Sequence, residues 1–331
     1  MGLLIDGVWQ NRPPLTDAEG RFQRKETAFR NWVTPDGKPG PTGHDGFAAA
    51  RGRYHLYLSL ACPWAHRVLI MRTLKGLEDF IGVSITHWLM GEHGWTFAPG
   101  EGVIDDPLFS SRFLYEIYTR ADANYTGRVS VPVLWDQHTQ TIVNNESSEI
   151  IRMLGRAFDG IGAKPGDYYP QDRRAEIDEV NARIYETVNN GVYKAGFSTS
   201  QSAYEDAIGP LFDTLDWLET HLAQSRFLCG DSLTEADIRL FTTLIRFDIV
   251  YHGHFKCNVR RIVDYPTLWA YTRDIHQIPG IAETVNLRHI KGHYFGSHRH
   301  INPTGIMPVG PAIDFNASVD RGRGVDKLIV F

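Results

Sequence analysis

The first regular pattern in this chain is an alternation. Tyr54, Leu56 and Leu58 interleave with His55 and Tyr57, the two-residue period of a β-strand. From Pro63 the period lengthens. Trp64, Ala65, Val68, Leu69 and Arg72 follow helical spacing, and Pro63 suits a first helical turn, where the N–H it lacks would have had no partner. "KGLED" (75–79) closes that helix, and "VSITHWLM" (83–90) predicts a second strand. A long polar and aromatic insertion follows, with a helix expected around "SRFLYEIYTRADANY" (111–125). "VSVPVLWDQHTQTIVNNES" (129–147) reads as two strands joined by a polar turn, leading into the helix "SSEIIRML" (147–154).

Beyond Asp172 the pattern changes. Ile177, Val180, Ile184, Val188 and Val192 keep a three-to-four-residue step over what reads as one long helix. Leu211, Leu215, Leu218 and Leu222 do the same in the next, and "SLTEADIRLFTTLIRFDIVY" (232–251) opens with Thr234 three residues before Asp237, close to a capping box. Further helices are expected at "PTLWAYTRDIHQI" (266–278) and "GIAETVNLRHI" (280–290), and a strand only in the final "KLIV" (327–330). The order predicts an α/β plus all-α chain: a thioredoxin-like N-terminal domain over 51–160, then an all-helical C-terminal domain with an extended tail over 170–331. "AKPGDYYPQD" (163–172) is the natural linker, and residues 1–50, rich in Gly and Pro, read as an arm or an irregular extension, wrapped on the body rather than free.

Composition narrows the function classes. The 331 residues are 42% hydrophobic and 22% charged, ordinary for a folded globular protein. A net charge of -5 offers no basic footprint for nucleic acid or anionic membrane, and no apolar run approaches the ~20 residues of a membrane span. The N-terminus has neither a secretory pattern nor a myristoylation site, since Asp6 stands where Ser or Thr is needed. Three widely spaced cysteines, Cys62, Cys229 and Cys257, fit a reducing cytoplasm. They include no C-x-x-C pair and the histidines no ligand spacing, which argues against a metal; "HRH" (298–300) reads as a solvated loop.

Three features carry candidate chemistry. Cys62 precedes the helix that Pro63 starts, where the positive end of the helix dipole and unpaired N–H groups can pull a thiol well below its ordinary ~8.5. A packed structural cysteine is the other reading, because free Cys is among the most buried residue types. Position 65 is Ala, so the fourth-position cysteine of a dithiol is missing and a reactive Cys62 would need an external thiol to release it. That points to glutathione. Val131–Pro132 places a proline in a strand pattern, either a plain edge position or a cis peptide beside the cysteine that leaves a backbone edge open for a peptide. Glu146 and Ser147 begin a helix, where they serve as a simple cap or hold the ammonium and carboxylate of a γ-glutamyl group.

"CPWAHR" (62–67), "VPVLWD" (131–136) with "NNES" (144–147) downstream, and "LTEADIRLF" (233–241) resemble the glutathione transferase superfamily, and more narrowly its xi class, the glutathionyl-hydroquinone reductases. The likeness covers nearly the whole chain, and "CPWAHR" is fairly specific to that class, omega-class relatives more often having Phe or Tyr after Cys-Pro. The resemblance implies that Cys62 is the nucleophile and that Trp95, Arg128, Val131, Pro132, Glu146 and Ser147 contact glutathione. It implies that Tyr193 donates or accepts the quinol proton, with Tyr251 and Tyr294 hydrogen-bonding near the sulfur. The implied reaction removes glutathione from a glutathionyl-hydroquinone through a mixed disulfide, in a cytoplasmic homodimer without a metal. An omega-like thiol transferase or dehydroascorbate reductase, and a non-catalytic interaction module of the same fold, are the alternatives.

Overall fold

A computed structural model of the chain describes residues 2–11 and 16–321, so the expected strand at "KLIV" lies outside the described residues. The chain divides into two compact units. The first comprises Met1–Pro13, Lys25–Pro165 and Thr284–Arg299; the second comprises Pro14–Arg24, Gly166–Glu283 and His300–Phe331. Where the sequence suggests three consecutive stretches, the compact units interleave: the first fifty residues are divided between them, and the last helix belongs with the first.

The N-terminal arm is largely loop and turn among its described residues, but it carries four short strands. β1 (Gly2–Ile5) and β2 (Val8–Asn11) form an antiparallel pair, and β3 (Trp32–Thr34) runs parallel to β4 (Gly46–Ala48). Strands of three or four residues are too short to display a period, so they were invisible to pattern reading. The remaining elements of the first unit are β5 (Tyr54–Leu58), α1 (Pro63–Leu74), β6 (Ile81–Ile85), α2 (Tyr115–Ala121), β7 (Gly127–Arg128), β8 (Val133–Asp136), β9 (Thr141–Asn144) and α3 (Ser147–Arg156). The main sheet has the order β6-β5-β8-β9, with β5 parallel to β6 and antiparallel to β8. β7 pairs instead with β1, Leu3 opposite Arg128.

The β5 alternation usually marks a strand with one solvent face, yet all five residues are buried. The insertion after β6 closes the second face: Tyr57 donates to Asp106 at 3.0 Å and packs on Phe97. His55 sits 2.8 Å from Ser84 Oγ, and burial pushes its imidazole down to about 4. The strand expected at 83–90 begins earlier and stops at Ile85, because Ile85 bridges to Ile104 and the chain then turns away. The helix expected over 111–125 is shorter; it ends where Asp122 turns extended and caps Asn124 N–H.

The second unit contains α4 (Arg174–Ile184), α5 (Gly191–Phe197), α6 (Gln201–Leu222), α7 (Glu235–Arg246), α8 (His252–His254) and α9 (Pro266–His276). The long helix expected from Ile177 to Val192 is interrupted by a π-helical turn at Tyr185–Asn189. Successive four-residue steps drift about 40° around an ideal α-helix. The wide turn takes up that drift, and Ile184, Val188 and Val192 are all fully buried. A second π-turn, Phe247–Tyr251, follows α7. The capping box at Thr234 and Asp237 is present.

α10 (Leu287–Ser297), in the first unit, replaces the helix expected at 280–290. Only a single 3₁₀ turn forms at Ala282–Thr284, and Asn286 caps α10 by accepting from His289 N–H at 2.9 Å. Gly292 leaves room for the Trp88 ring, which a Cβ there would meet at 2.7 Å. Among the described residues no helix is long and apolar enough to cross a membrane.

Candidate functional site

Cys62 is the N-cap of α1, in extended conformation with Pro63 in the first turn. Its carbonyl accepts from His66 N–H at 3.0 Å, which begins the helix, so the thiol lies against the positive end of α1. It is half-buried and in no disulfide. The thiol donates to the carbonyl of Val131 at 3.7 Å, and the Val131–Pro132 peptide is cis. Pro132 immediately precedes β8, the strand antiparallel to β5, and β5 leads to Cys62. The sheet therefore brings the two motifs together from sequence positions 69 residues apart.

The other two cysteines are fully buried. Burial pushes the Cys229 thiol up to about 12 and the Cys257 thiol higher still, so both stay protonated. A thiol reagent at neutral pH is therefore expected to modify one cysteine in the native protein and three after denaturation, as counted by intact mass. Labelling of Cys229 or Cys257 at the rate of Cys62 would contradict this.

Glu146 and Ser147 stand where β9 turns into α3. Glu146 is the N-cap and its carboxylate accepts from Ser148 N–H at 3.0 Å; Ser147 is buried at the first helical position, 3.4 Å from Arg67 Nη1. Arg67 is itself buried and lies 4.5 Å from the Trp64 ring centre. Trp95 is buried and stacked on His293 of α10 at 4.8 Å. Arg128 belongs to β7, and its carbonyl accepts from Tyr125 OH at 3.1 Å. Tyr294, on α10, is almost fully buried and meets His298 edge-on at 5.4 Å. His298 is thus buried, while Arg299 and His300 are exposed; the solvated-loop expectation for "HRH" fails at its first residue because α10 brings it inward.

Tyr193 and Tyr251 belong to the second unit and lie together, their ring centres 6.1 Å apart. Tyr251 ends the second π-turn, fully buried and stacked on Phe255. Tyr193, half-exposed on α5, packs on Phe255 at 5.5 Å, with the Arg24 guanidinium 5.2 Å from its ring centre. Arg24 donates to Asn190 at 2.8 Å. No periodicity pointed to Arg24, which lies in the arm.

Sequence reading also missed what holds the "NNES" turn. Residues 29–31 lie along β9 as an added edge: Arg30 bridges Asn144, Asn31 N–H donates to Val143, and Asn145 N–H donates to Phe29. The Arg30 guanidinium grips both carboxylate oxygens of Glu149 in the first turn of α3. Asn144 and Thr42 each donate to the same carboxylate at 2.8 Å. Burial alone would raise the Glu149 carboxyl, but these bonds outweigh it and hold it below the usual carboxylate value.

Residues 61–157 match the family description "Glutathione S-transferase, N-terminal domain", and residues 201–274 match "Glutathione S-transferase, C-terminal domain". The chain is 59% identical to a glutathionyl-hydroquinone reductase of Escherichia coli K12, covering 98% of this chain and 99% of that one. It is 58% identical to a glutathionyl-hydroquinone reductase of Sphingobium chlorophenolicum, over 94% of this chain and 97% of the other. A glutathione-bound structure of the E. coli protein superposes with a TM-score of 0.89 at 58% identity, covering 95% and 97% of the two chains. A xi-class transferase from Natrialba magadii gives a TM-score of 0.89 at 47% identity, covering 99% and 98%.

Proposed function

This chain belongs to the glutathione transferase superfamily and, within it, to the xi class with the glutathionyl-hydroquinone reductases, and we propose that it removes glutathione from glutathionyl-hydroquinones through a Cys62–glutathione mixed disulfide. One observation carries the reading. Of the three cysteines only Cys62 is both accessible and at a helix N-terminus, with its sulfur against the carbonyl that precedes cis-Pro132.

In the proposed reaction the Cys62 thiolate attacks the sulfur of the thioether. A sulfur–sulfur bond forms, the sulfur–carbon bond breaks, and the ring carbon takes the electron pair and a proton. The free hydroquinone leaves. The thiolate of a second glutathione then attacks the mixed disulfide, releasing oxidised glutathione and restoring Cys62; this is a ping-pong scheme with one covalent intermediate. Ala65 in place of a second cysteine suits it, because nothing on α1 competes with glutathione for the intermediate.

The site assignments are part of the proposal. Glu146 and the N–H groups at the start of α3 meet the ammonium and carboxylate of the γ-glutamyl group, beside Ser147. The backbone at Val131–Pro132 pairs with the cysteinyl residue of glutathione, and Trp95 and Arg128 contact the same molecule. Tyr193 exchanges the proton with the quinol, or assists its ketonisation, worth roughly 10²–10⁴ in rate as general acid help. Tyr251 and Tyr294 hydrogen-bond near the reacting sulfur. A cytoplasmic homodimer is the proposed setting, on the likeness to the class.

Incubation with a glutathionyl-hydroquinone in the absence of free glutathione tests the scheme. Peptide mass mapping is expected to find glutathione on Cys62; an adduct confined to Cys229 or Cys257 would overturn it.

A further inference from the structure

We propose that Arg30, contributed by the N-terminal arm, is a positioning residue for glutathione. It sets the electrostatics and shape of the α3 N-terminus that receives the γ-glutamyl carboxylate. The inference rests on the glutathione site proposed above.

The start of α3 holds a conflict of charge. An anion is held at a helix N-terminus by unpaired N–H groups and the positive dipole end. Glu149 lies in that first turn, with its side chain only 9% exposed, and an uncompensated carboxylate there would repel the incoming carboxylate. Arg30 cancels it with a two-pronged, charge-assisted pair, and Thr42 and Asn144 take up the remaining acceptor positions. The same contacts set shape. Asn144 uses its other side-chain atom to accept from Glu146 N–H at 2.7 Å, so the residue that orders Glu149 also orders the cap. Phe29 N–H donates to Asn145 Oδ1 at 3.2 Å, and Asn145 donates to Tyr118 OH at 3.1 Å. The arm thus fixes three consecutive residues, 144–146, immediately before Ser147.

The test is calorimetric titration with glutathione, alongside steady-state turnover of a glutathionyl-hydroquinone, in Arg30→Ala, Arg30→Gln, Arg30→Lys and Arg30→Ala/Glu149→Gln. Removing the charge is expected to raise Kd for glutathione by about 10-fold while kcat at saturating glutathione stays within about twofold. Arg30→Lys, which keeps the charge but not the fork, should fall between Arg30→Gln and the native protein. The double variant should recover most of the lost affinity, because it removes the uncompensated carboxylate; a purely structural role would leave it no better than Arg30→Ala. Circular dichroism checks the fold of each, and Arg30→Gln serves for the charge comparison if the alanine variant does not fold. A native-like Kd in Arg30→Gln, or lost kcat at unchanged Kd, would overturn the proposal alone. Failure of the native protein to bind glutathione would overturn the proposed function together with it.

Discussion

Replacing Cys62 by alanine is expected to lower turnover of a glutathionyl-hydroquinone by at least about 10³-fold while the fold is retained. The first half follows from chemistry: without the thiolate, no covalent intermediate forms and glutathione has nothing to discharge. The second half follows from the position. Cys62 makes no side-chain cap bond to α1, and the helix start is held by its backbone carbonyl and by Pro63, both unchanged in the variant. The Sγ contact to Val131 is a weak thiol hydrogen bond at 3.7 Å, so its loss costs on the order of 1 kcal/mol or less. Cys62→Ser places a hydroxyl at the same point and should be as inactive, since an alcohol there stays protonated at neutral pH. A variant that turns over at more than a tenth of the native rate would end the scheme, and loss of the native circular dichroism spectrum would contradict the retained fold, with Cys62→Ser then carrying the activity test.

The largest effect on stability is expected at Asp237. Its carboxylate, fully buried, accepts from Leu228 N–H, Thr234 N–H and Tyr271 OH, each at 2.8 Å, and from the Thr234 hydroxyl at 3.0 Å. These bonds tie the start of α7 to the 228 loop and to α9. Burial raises the carboxyl despite these bonds, because desolvation of the fully buried group outweighs them. Asp237→Ala leaves those donors unsatisfied inside the second unit, at ~1–3 kcal/mol each before relaxation, and removes the capping box. With partial relaxation the expected loss is about 3–5 kcal/mol, read from the midpoint of urea unfolding at unchanged slope. Asp237→Asn keeps one acceptor but turns an N–H toward the donors, so it should fall between. A loss under about 0.5 kcal/mol in the alanine variant would show that the network does not hold the unit together.

The residues that read clearly in sequence are those whose role is local. β5, α1 and α3 were legible because their length exceeds one period, and the capping box because its two members are three residues apart. The same condition explains the misses. β1 to β4 are too short to show a pattern, even though β1 pairs with its neighbour β2 and β3 with β4; only the pairing of β1 with β7 joins distant stretches of chain. The π-turn in the α4 region looks in sequence like an unbroken helical step, because the wide turn preserves the apolar spacing. α10 was expected several residues early, the Gly280–Ile281 step suggesting a start that the 3₁₀ turn and Asn286 postpone.

By itself the sequence carried the likeness to the family and pointed to a candidate reacting atom: a Cys-Pro before a helix, no second cysteine at the fourth position, and a proline strand and Glu-Ser turn downstream. These are short-range statements about backbone conformation and side-chain chemistry, and short-range order survives in a linear string. Only the tertiary structure decided which cysteine is accessible, because burial depends on everything packed around it and sets Cys229 and Cys257 apart from Cys62. Only it showed that residues 29–31 form an edge on β9 and that Arg30 neutralises Glu149. A charge pair between residues 119 positions apart has no local signature; its energy exists only after the chain has closed the loop between them.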